Sequence, residues 1–342
     1  GGDDGKGSNL QGFFTFFKSM FGAGILVLTH KFSDVGLPLG VLVFVAVAFF
    51  VLVTTYMLLD CHLHCCAIAN KELKSFEDIA GFILGKYGRR TIRYCIALLQ
   101  LLFCTGFMIV FCDNMQDVFP VLNRAEYAGL ALIPLTVLSW IPNMRDMWVV
   151  SVLGLAVYLV GVIGLSTYDG AKNYEQPDDL MEWKAGGAAS FFGVCAYAME
   201  GICLVIPTSV TLQRREDSMA VITLGLVLYC AVTLAFAMFT FSAGLGSCDT
   251  IIECLEEGFP TTGVRLALCA ALLLTHPVFI IVVANIVEGR LFRDDLRVKG
   301  IRFALVGITC AIAASGIKFS VFSGLVGSVL TSFVGFVMPA LM

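Results

Sequence analysis

Long apolar stretches separated by short polar ones run through the whole chain. A helix needs about 20 apolar residues to cross a bilayer. Ten runs of that kind can be drawn, at 13–31, 37–61, 92–119, 128–141, 147–167, 188–210, 219–245, 265–287, 301–316 and 319–342. The fourth and ninth are short. Two runs carry residues that weaken a helix. The first contains SMFGAGILVL, with Gly22 and Gly24 in its middle, and the sixth contains SFFGVCAYAMEGICLVIP, with Gly193, Gly201 and Pro207. Each glycine costs an exposed helix about 1 kcal/mol against alanine. Inside lipid a loosened backbone group also finds no water to bond.

Runs one to five form one half of the chain and runs six to ten the other. Five is odd, so the second half enters the membrane from the opposite side, which is the geometry of an inverted repeat. The interrupted runs open their respective halves. Glycines that pack helices closely are the alternative reading of FGAG. The matching interruption in the sixth run turns the balance toward a binding site, because irregular backbone in a bilayer survives where it lines a cavity. Freed N–H groups at the positive end of a half-helix suit a carboxylate. The expected division is a flexible tail at 1–12, a repeat at 13–167, an acidic loop at 168–187 and a second repeat at 188–342.

Composition excludes a water-soluble fold. Of 342 residues 58% are hydrophobic and 14% charged, with a mean hydropathy of +0.88; soluble domains carry about 25% charged residues. The chain reads as an all-α integral membrane protein. Its net charge of −4 matters less than where the charges fall. With the N-terminus in the cytosol, the inner loops hold Lys71, Lys74, Lys86, Arg89, Arg90, Arg93, Arg145, Arg214, Arg215, Arg290, Arg293, Arg297, Lys299 and Arg302. The outer loops hold only Lys31, Arg124, Lys172, Lys184 and Lys318, and are otherwise acidic at Asp169, Glu175, Asp178, Asp179, Glu182, Asp249, Glu253, Glu256 and Glu257. Positive charge stays inside, so a cytoplasmic N-terminus is expected. Most of the thirteen cysteines lie in apolar runs; Cys248 and Cys254 share a polar outer loop and are a candidate disulfide. No N-x-[ST] acceptor occurs.

The run FKSMFGAGILVLTHKFSDVGLPLG resembles the first helix of the amino acid/auxin permease family, within the amino acid-polyamine-organocation superfamily. FFGVCAYAMEGICLVIPTSV is similar to that family's sixth helix, most of all in the proton-coupled amino acid transporter branch. LQLLFCTGFMIVFCDN in the third run and FSGLVGSVLTSFVGFVMPALM at the end are similar too. The resemblance extends from about Phe13 to Met342. It implies a LeuT-like 5+5 inverted repeat with helices one and six broken around the substrate. It also implies symport of amino acids with protons or sodium by alternating access. Family members usually have eleven helices; ten are visible here, so an eleventh is missing from this sequence. Four positions depart from the family pattern: Thr15 where the proton-coupled branch has histidine, Met20 for asparagine, Val27 for glycine and Thr29 for proline.

The candidate substrate-binding residues are Phe21, Gly22, Ala23 and Gly24 in the first run, with backbone N–H groups for the carboxylate. Phe107 is added from the third, as an aromatic gate, and Tyr197, Ala198, Glu200 and Gly201 from the sixth, with carbonyls for the amino group. The pocket is expected between runs one, three, six and eight. Glu200 lies among apolar residues, and a buried carboxylate must be neutral or paired; proton carrier and brace for unwound backbone both fit. His276, beside Pro277, is a candidate ion-coupling residue because histidine titrates near neutrality; a simple bond to a neighbouring helix is the plainer reading. CHLHCC, 61–66, matches no standard ligand spacing, so no metal site is assigned. No cofactor is expected beyond the coupling ion.

The sequence has no GxxxxGK[ST], HExxH or GxSxG, which argues against ATP hydrolysis and soluble-enzyme chemistry. A secondary-active carrier of neutral amino acids is the expected function, in the plasma membrane or in a vacuolar or lysosomal membrane. The rival is a transporter-like sensor whose basic inner loops dock cytoplasmic partners, and a channel is a second. The expected partners are the amino acid and the lipid; no nucleic acid is implied and no protein partner is identifiable.

Overall fold

The computed structural model describes residues 9–140, 155–178, 180–212, 217–288 and 295–342. Every regular element among them is helical. Six helices are long and apolar enough to cross a bilayer: Leu37–Ala69, Gly85–Val118, Ala185–Val210, Ser218–Ser242, Phe259–Ala284 and Phe319–Ala340. A seventh crossing follows if Gly12–Met20 and Ile25–Val35, bent by 49° at a short break, count as one. These seven correspond to runs one, two, three, six, seven, eight and ten. The fourth run is the helix Arg124–Ser139, only 16 residues and so about 24 Å long. The ninth lies in Asp295–Ala314, which carries Arg297, Lys299 and Arg302. The fifth is described from Leu155 onward, as a π-helical stretch Val157–Gly164 leading into Leu165–Lys172. Length and apolarity thus support seven crossings among the described residues rather than ten.

The ends of these helices follow their local sequences. Asn123 caps Arg124–Ser139 in a reciprocal box with Glu126, and Ser75 caps Phe76–Ile83 through the Asp78 N–H. Gly36 turns the chain from Ile25–Val35 into Leu37–Ala69 at φ +77°, a region that favours glycine. The outer loop locks onto this corner: Leu37 N–H donates to the Leu180 carbonyl and Lys184 N–H to that of Val35. At the other end the first helix starts at Asn9, not after residue 12. Asn9 Nδ2 donates to Asp217 at 2.6 Å, which fixes the start earlier than composition implied.

The helices share one continuous apolar core. Gly85–Val118 packs lengthwise against Phe259–Glu288. The first half of the sixth run, Ala188–Ala198, packs against Ile25–Val35, Leu37–Ala69 and the tenth run. Its contact with the tenth run is backbone to backbone. A Cβ on Gly327 would collide with the Gly193 carbonyl, and one on Gly193 with the Gly324 carbonyl. Gly193 is therefore a packing glycine and does not interrupt the helix. Pro207 also lies within a helix, Ile202–Thr211.

On the outer side, Cys248 and Cys254 are joined in a disulfide with Cα atoms 5.6 Å apart. Asp249 between them accepts from the N–H and hydroxyl of Ser320 at the start of the tenth run. Arg124 pairs with Asp113 at 2.6 Å, and Arg265 with Asp117 at 3.3 Å. Lys172 and Asn173 donate to Glu256, and these bonds hold its carboxyl below the usual glutamate range. Arg145, Arg214, Arg215, Arg290, Arg293 and Asp179 lie outside the described residues, as do residues 1–8.

The glycine contact yields a paired test. Gly327→Ala should cost about 1–3 kcal/mol by overpacking and lower the thermal midpoint of the purified protein. Gly307→Ala, whose Cβ meets nothing within 4 Å, should leave the midpoint unchanged. Equal midpoints would mean that the two runs are not in backbone contact.

Candidate functional site

The first run breaks at residues 21–24, between Asn9–Met20 and Ile25–Val35. Phe21 N–H reaches back to the Lys18 carbonyl and Leu26 N–H to that of Ala23, whereas Gly22, Ala23 and Gly24 donate to no backbone carbonyl among the bonds outside regular helix. The sixth run breaks between Ala188–Ala198 and Ile202–Thr211, at Met199, Glu200 and Gly201. The bend here is slight enough that 185–210 passes as a single crossing.

The two breaks touch. A Cβ on Gly24 would lie 2.7 Å from the Ala198 Cα and 3.1 Å from a ring carbon of Tyr197. Only glycine lets the chains approach this closely. Tyr229, from Ser218–Ser242, ties them together. Its hydroxyl donates to the Ala198 carbonyl at 2.6 Å, and its ring stands edge-on to Phe21 with centroids 5.1 Å apart. The break in the sixth run would leave that carbonyl unpaired in an apolar interior, and Tyr229 supplies its donor. The sequence held no signal for this role, because Ser218–Ser242 is apolar on nearly every side.

Two small cavities flank the paired breaks. One is walled by Lys18, Phe21, Gly22, Phe107, Leu155, Tyr158, Ala271, Leu272 and Thr275. It thus brings together runs one, three, five and eight, with Phe21, Gly22 and Phe107 among the sequence candidates. The other is walled by Val51, Thr54, Ala196, Met199, Glu200, Gly201, Ile202, Thr331, Gly335 and Phe336. It places Glu200 and Gly201 against runs two and ten, whereas no residue of the sixth run lines the first cavity. Each has about 10 Å³ of free space, room for roughly one water.

Tyr197 is buried and lines neither cavity. Its ring lies 4.6 Å from that of Phe103 and 6.0 Å from that of Phe319, and its hydroxyl points at Gly106 without a hydrogen-bond partner. Phe107 stands edge-on to Phe279 with ring centroids 5.3 Å apart. Ala23 and Ala198 are buried in the contact between breaks. Glu200 accepts a long bond, 3.4 Å, from the Cys203 N–H at the start of the second half-helix, and no basic side chain pairs with it among the described residues. His276 lies away from both cavity walls; its Nε2 meets the Thr309 hydroxyl at 3.1 Å, the bond to a neighbouring helix. Thr29, where the family carries proline, bonds the Thr240 hydroxyl at 2.8 Å, and Val27 is fully buried. The side chain of Thr15 lies outside the described atoms. In the 61–66 cluster His62 bonds the Leu73 carbonyl and His64 that of Asp60. No metal-binding group of three His, Cys, Asp or Glu residues occurs among the described residues.

Comparison with known proteins gives a coherent answer. The family model described as transmembrane amino acid transporter protein matches residues 5–342. Amino acid transporter AVT3C of Arabidopsis thaliana is 27% identical, over 98% of this chain and 84% of its own length. Vacuolar amino acid transporter 4 of Saccharomyces cerevisiae is 22% identical, over 84% of this chain and 42% of its own. The proton-coupled amino acid transporter-like protein pathetic of Drosophila melanogaster is 20% identical, over 94% of this chain and 74% of its own.

Replacing Tyr229 by phenylalanine keeps the ring and removes the donor to Ala198. A buried acceptor stripped of its donor costs about 1–3 kcal/mol, so Tyr229→Phe should lower the thermal midpoint and slow whatever flux the protein carries. A variant with the midpoint and flux of the parent would remove Tyr229 from the site.

Proposed function

The chain belongs to the transmembrane amino acid transporter family, and from that premise we propose that it is a secondary-active carrier of neutral amino acids that works by alternating access. It is an integral membrane protein of a transporter family, not an enzyme. The observation that carries the proposal is the contact between two interrupted runs at Gly24 and Ala198, with a cavity against the first break. In our reading the halves 13–167 and 188–342 form a LeuT-like inverted repeat, and the unpaired N–H groups at Gly22 to Gly24 receive the substrate carboxylate. Carbonyls from Tyr197 to Gly201 take the amino group once the sixth run shifts relative to the first. Phe107 and Tyr197 bound the side chain.

Proton coupling fits better than sodium. Glu200 is a carboxylate at the second break with no basic partner among the described residues, and such a group can carry a proton through the cycle. The Drosophila relative's name points the same way, and the names of the fungal relatives favour a vacuolar membrane. The basic inner loops support a cytoplasmic N-terminus.

The test is uptake of radiolabelled amino acids into proteoliposomes under imposed proton or sodium gradients. Accumulation of small neutral amino acids that follows the proton gradient, collapses with a protonophore and loses its pH dependence in Glu200→Gln is the expected result. Binding without flux would instead assign a sensor, and flux indifferent to either gradient a channel or uniporter.

A further inference from the structure

The wall of the cavity against the first break includes a lysine. Lys18 sits one turn before the break, half-buried, on the cavity wall beside Phe21, Gly22 and Tyr158. No carboxylate pairs with it among the described residues. A partly buried charge without a countercharge is costly in an apolar interior. Tyr158 belongs to the same wall, is only 4% exposed, and its hydroxyl has no hydrogen-bond partner. The remaining polar side chain, Thr275, already donates its hydroxyl proton to the Ala271 carbonyl. The other wall residues are Phe21, Phe107, Leu155, Ala271 and Leu272. The cavity therefore offers a cation, a free O–H donor and the Gly22 backbone, and no anionic side chain.

We propose that Lys18 and Tyr158 form the anion subsite of the transport cavity, where the ammonium and the phenol hold the substrate carboxylate against the break. The proposal deepens the carrier reading and rests on it. The backbone N–H groups at Gly22 to Gly24 give directionality to the carboxylate, and Lys18 gives it the countercharge. The wall carries a positive charge and no negative one, so the subsite selects for a carboxylate and against ligands whose only charge is positive. An amine that lacks the carboxylate loses its anchor and meets a like charge. With the cavity empty, the Lys18 stem can cover apolar surface while its head reaches toward the inner membrane face. Substrate entry then draws the head inward.

The full chain in proteoliposomes, supplied with its best substrate from a panel of proteinogenic amino acids, provides the test. Lys18→Met should raise KM by roughly tenfold or more, the loss expected for a charged hydrogen bond, while Lys18→Arg stays closer to the parent. Tyr158→Phe should also raise KM. The decarboxylated amine of the same substrate should compete poorly with the parent and relatively better with Lys18→Met, a change in selectivity that a purely structural lysine would not produce. A Lys18→Met protein with parental KM and parental discrimination against the amine would overturn the proposal. If Lys18→Met does not survive purification, Tyr158→Phe decides, and an unchanged KM there would also overturn it. A parent protein that neither binds nor carries any amino acid of the panel would instead sink the carrier reading beneath it, which separates the two failures.

Discussion

A polypeptide that interrupts a helix inside a bilayer must find partners for the backbone groups it releases, since lipid offers none. The centre of this protein is organised by that constraint. The chain meets it by setting one interruption against another. Gly24 has no side chain, so the first run can lie directly against Ala198 and Tyr197 of the sixth. Tyr229 then donates to the carbonyl that the sixth run sets free. Gly22, Ala23 and Gly24 donate to no backbone carbonyl among the bonds outside regular helix, and Gly22 lines a cavity whose wall also holds Lys18 and Tyr158.

The surrounding fold holds this arrangement in place. Ala188–Ala198 is held on its far side by backbone contact between Gly193 and Gly327. On the outer side, Asp249 from the disulfide loop caps the start of the tenth run. Arg124 bridges Asp113 and the Ala313 and Ile317 carbonyls. These ties join the outer loops to the ends of the helices around the core. Glu200 lines the second cavity and not the one against the first break.

Much of this was legible in the sequence because it follows from local rules. Apolar length marked the crossings, and paired glycines in FGAG marked the first break. Gly201 marked the second. The misread residues are those whose role depends on a distant partner. Gly193 resembles a helix breaker in isolation, and only the tenth run's Gly327 reveals it as a contact surface. Tyr229 lies on a helix apolar nearly all round, where no periodicity shows which face meets the break. Lys18 carries no signal of its own in the sequence, and only the fold sets it on one cavity wall with Tyr158 of the fifth run. The single pocket expected between runs one, three, six and eight became two for the same reason: which side of the sixth run Glu200 faces is set by tertiary packing, not by its neighbours in sequence. The short fourth run and the basic start of the ninth explain why ten apolar stretches do not yield ten helices of crossing length among the described residues.

The contact between the breaks is tested most directly by comparing two single methyl additions. On Gly22 a Cβ meets only a ring carbon of Phe107 at 3.8 Å, an ordinary contact, whereas on Gly24 it presses into the Ala198 backbone. The account predicts that purified Gly22→Ala keeps the parental thermal midpoint while Gly24→Ala loses about 1–3 kcal/mol and melts measurably lower. Equal midpoints for the two variants would contradict it, because the breaks would then not meet at Gly24.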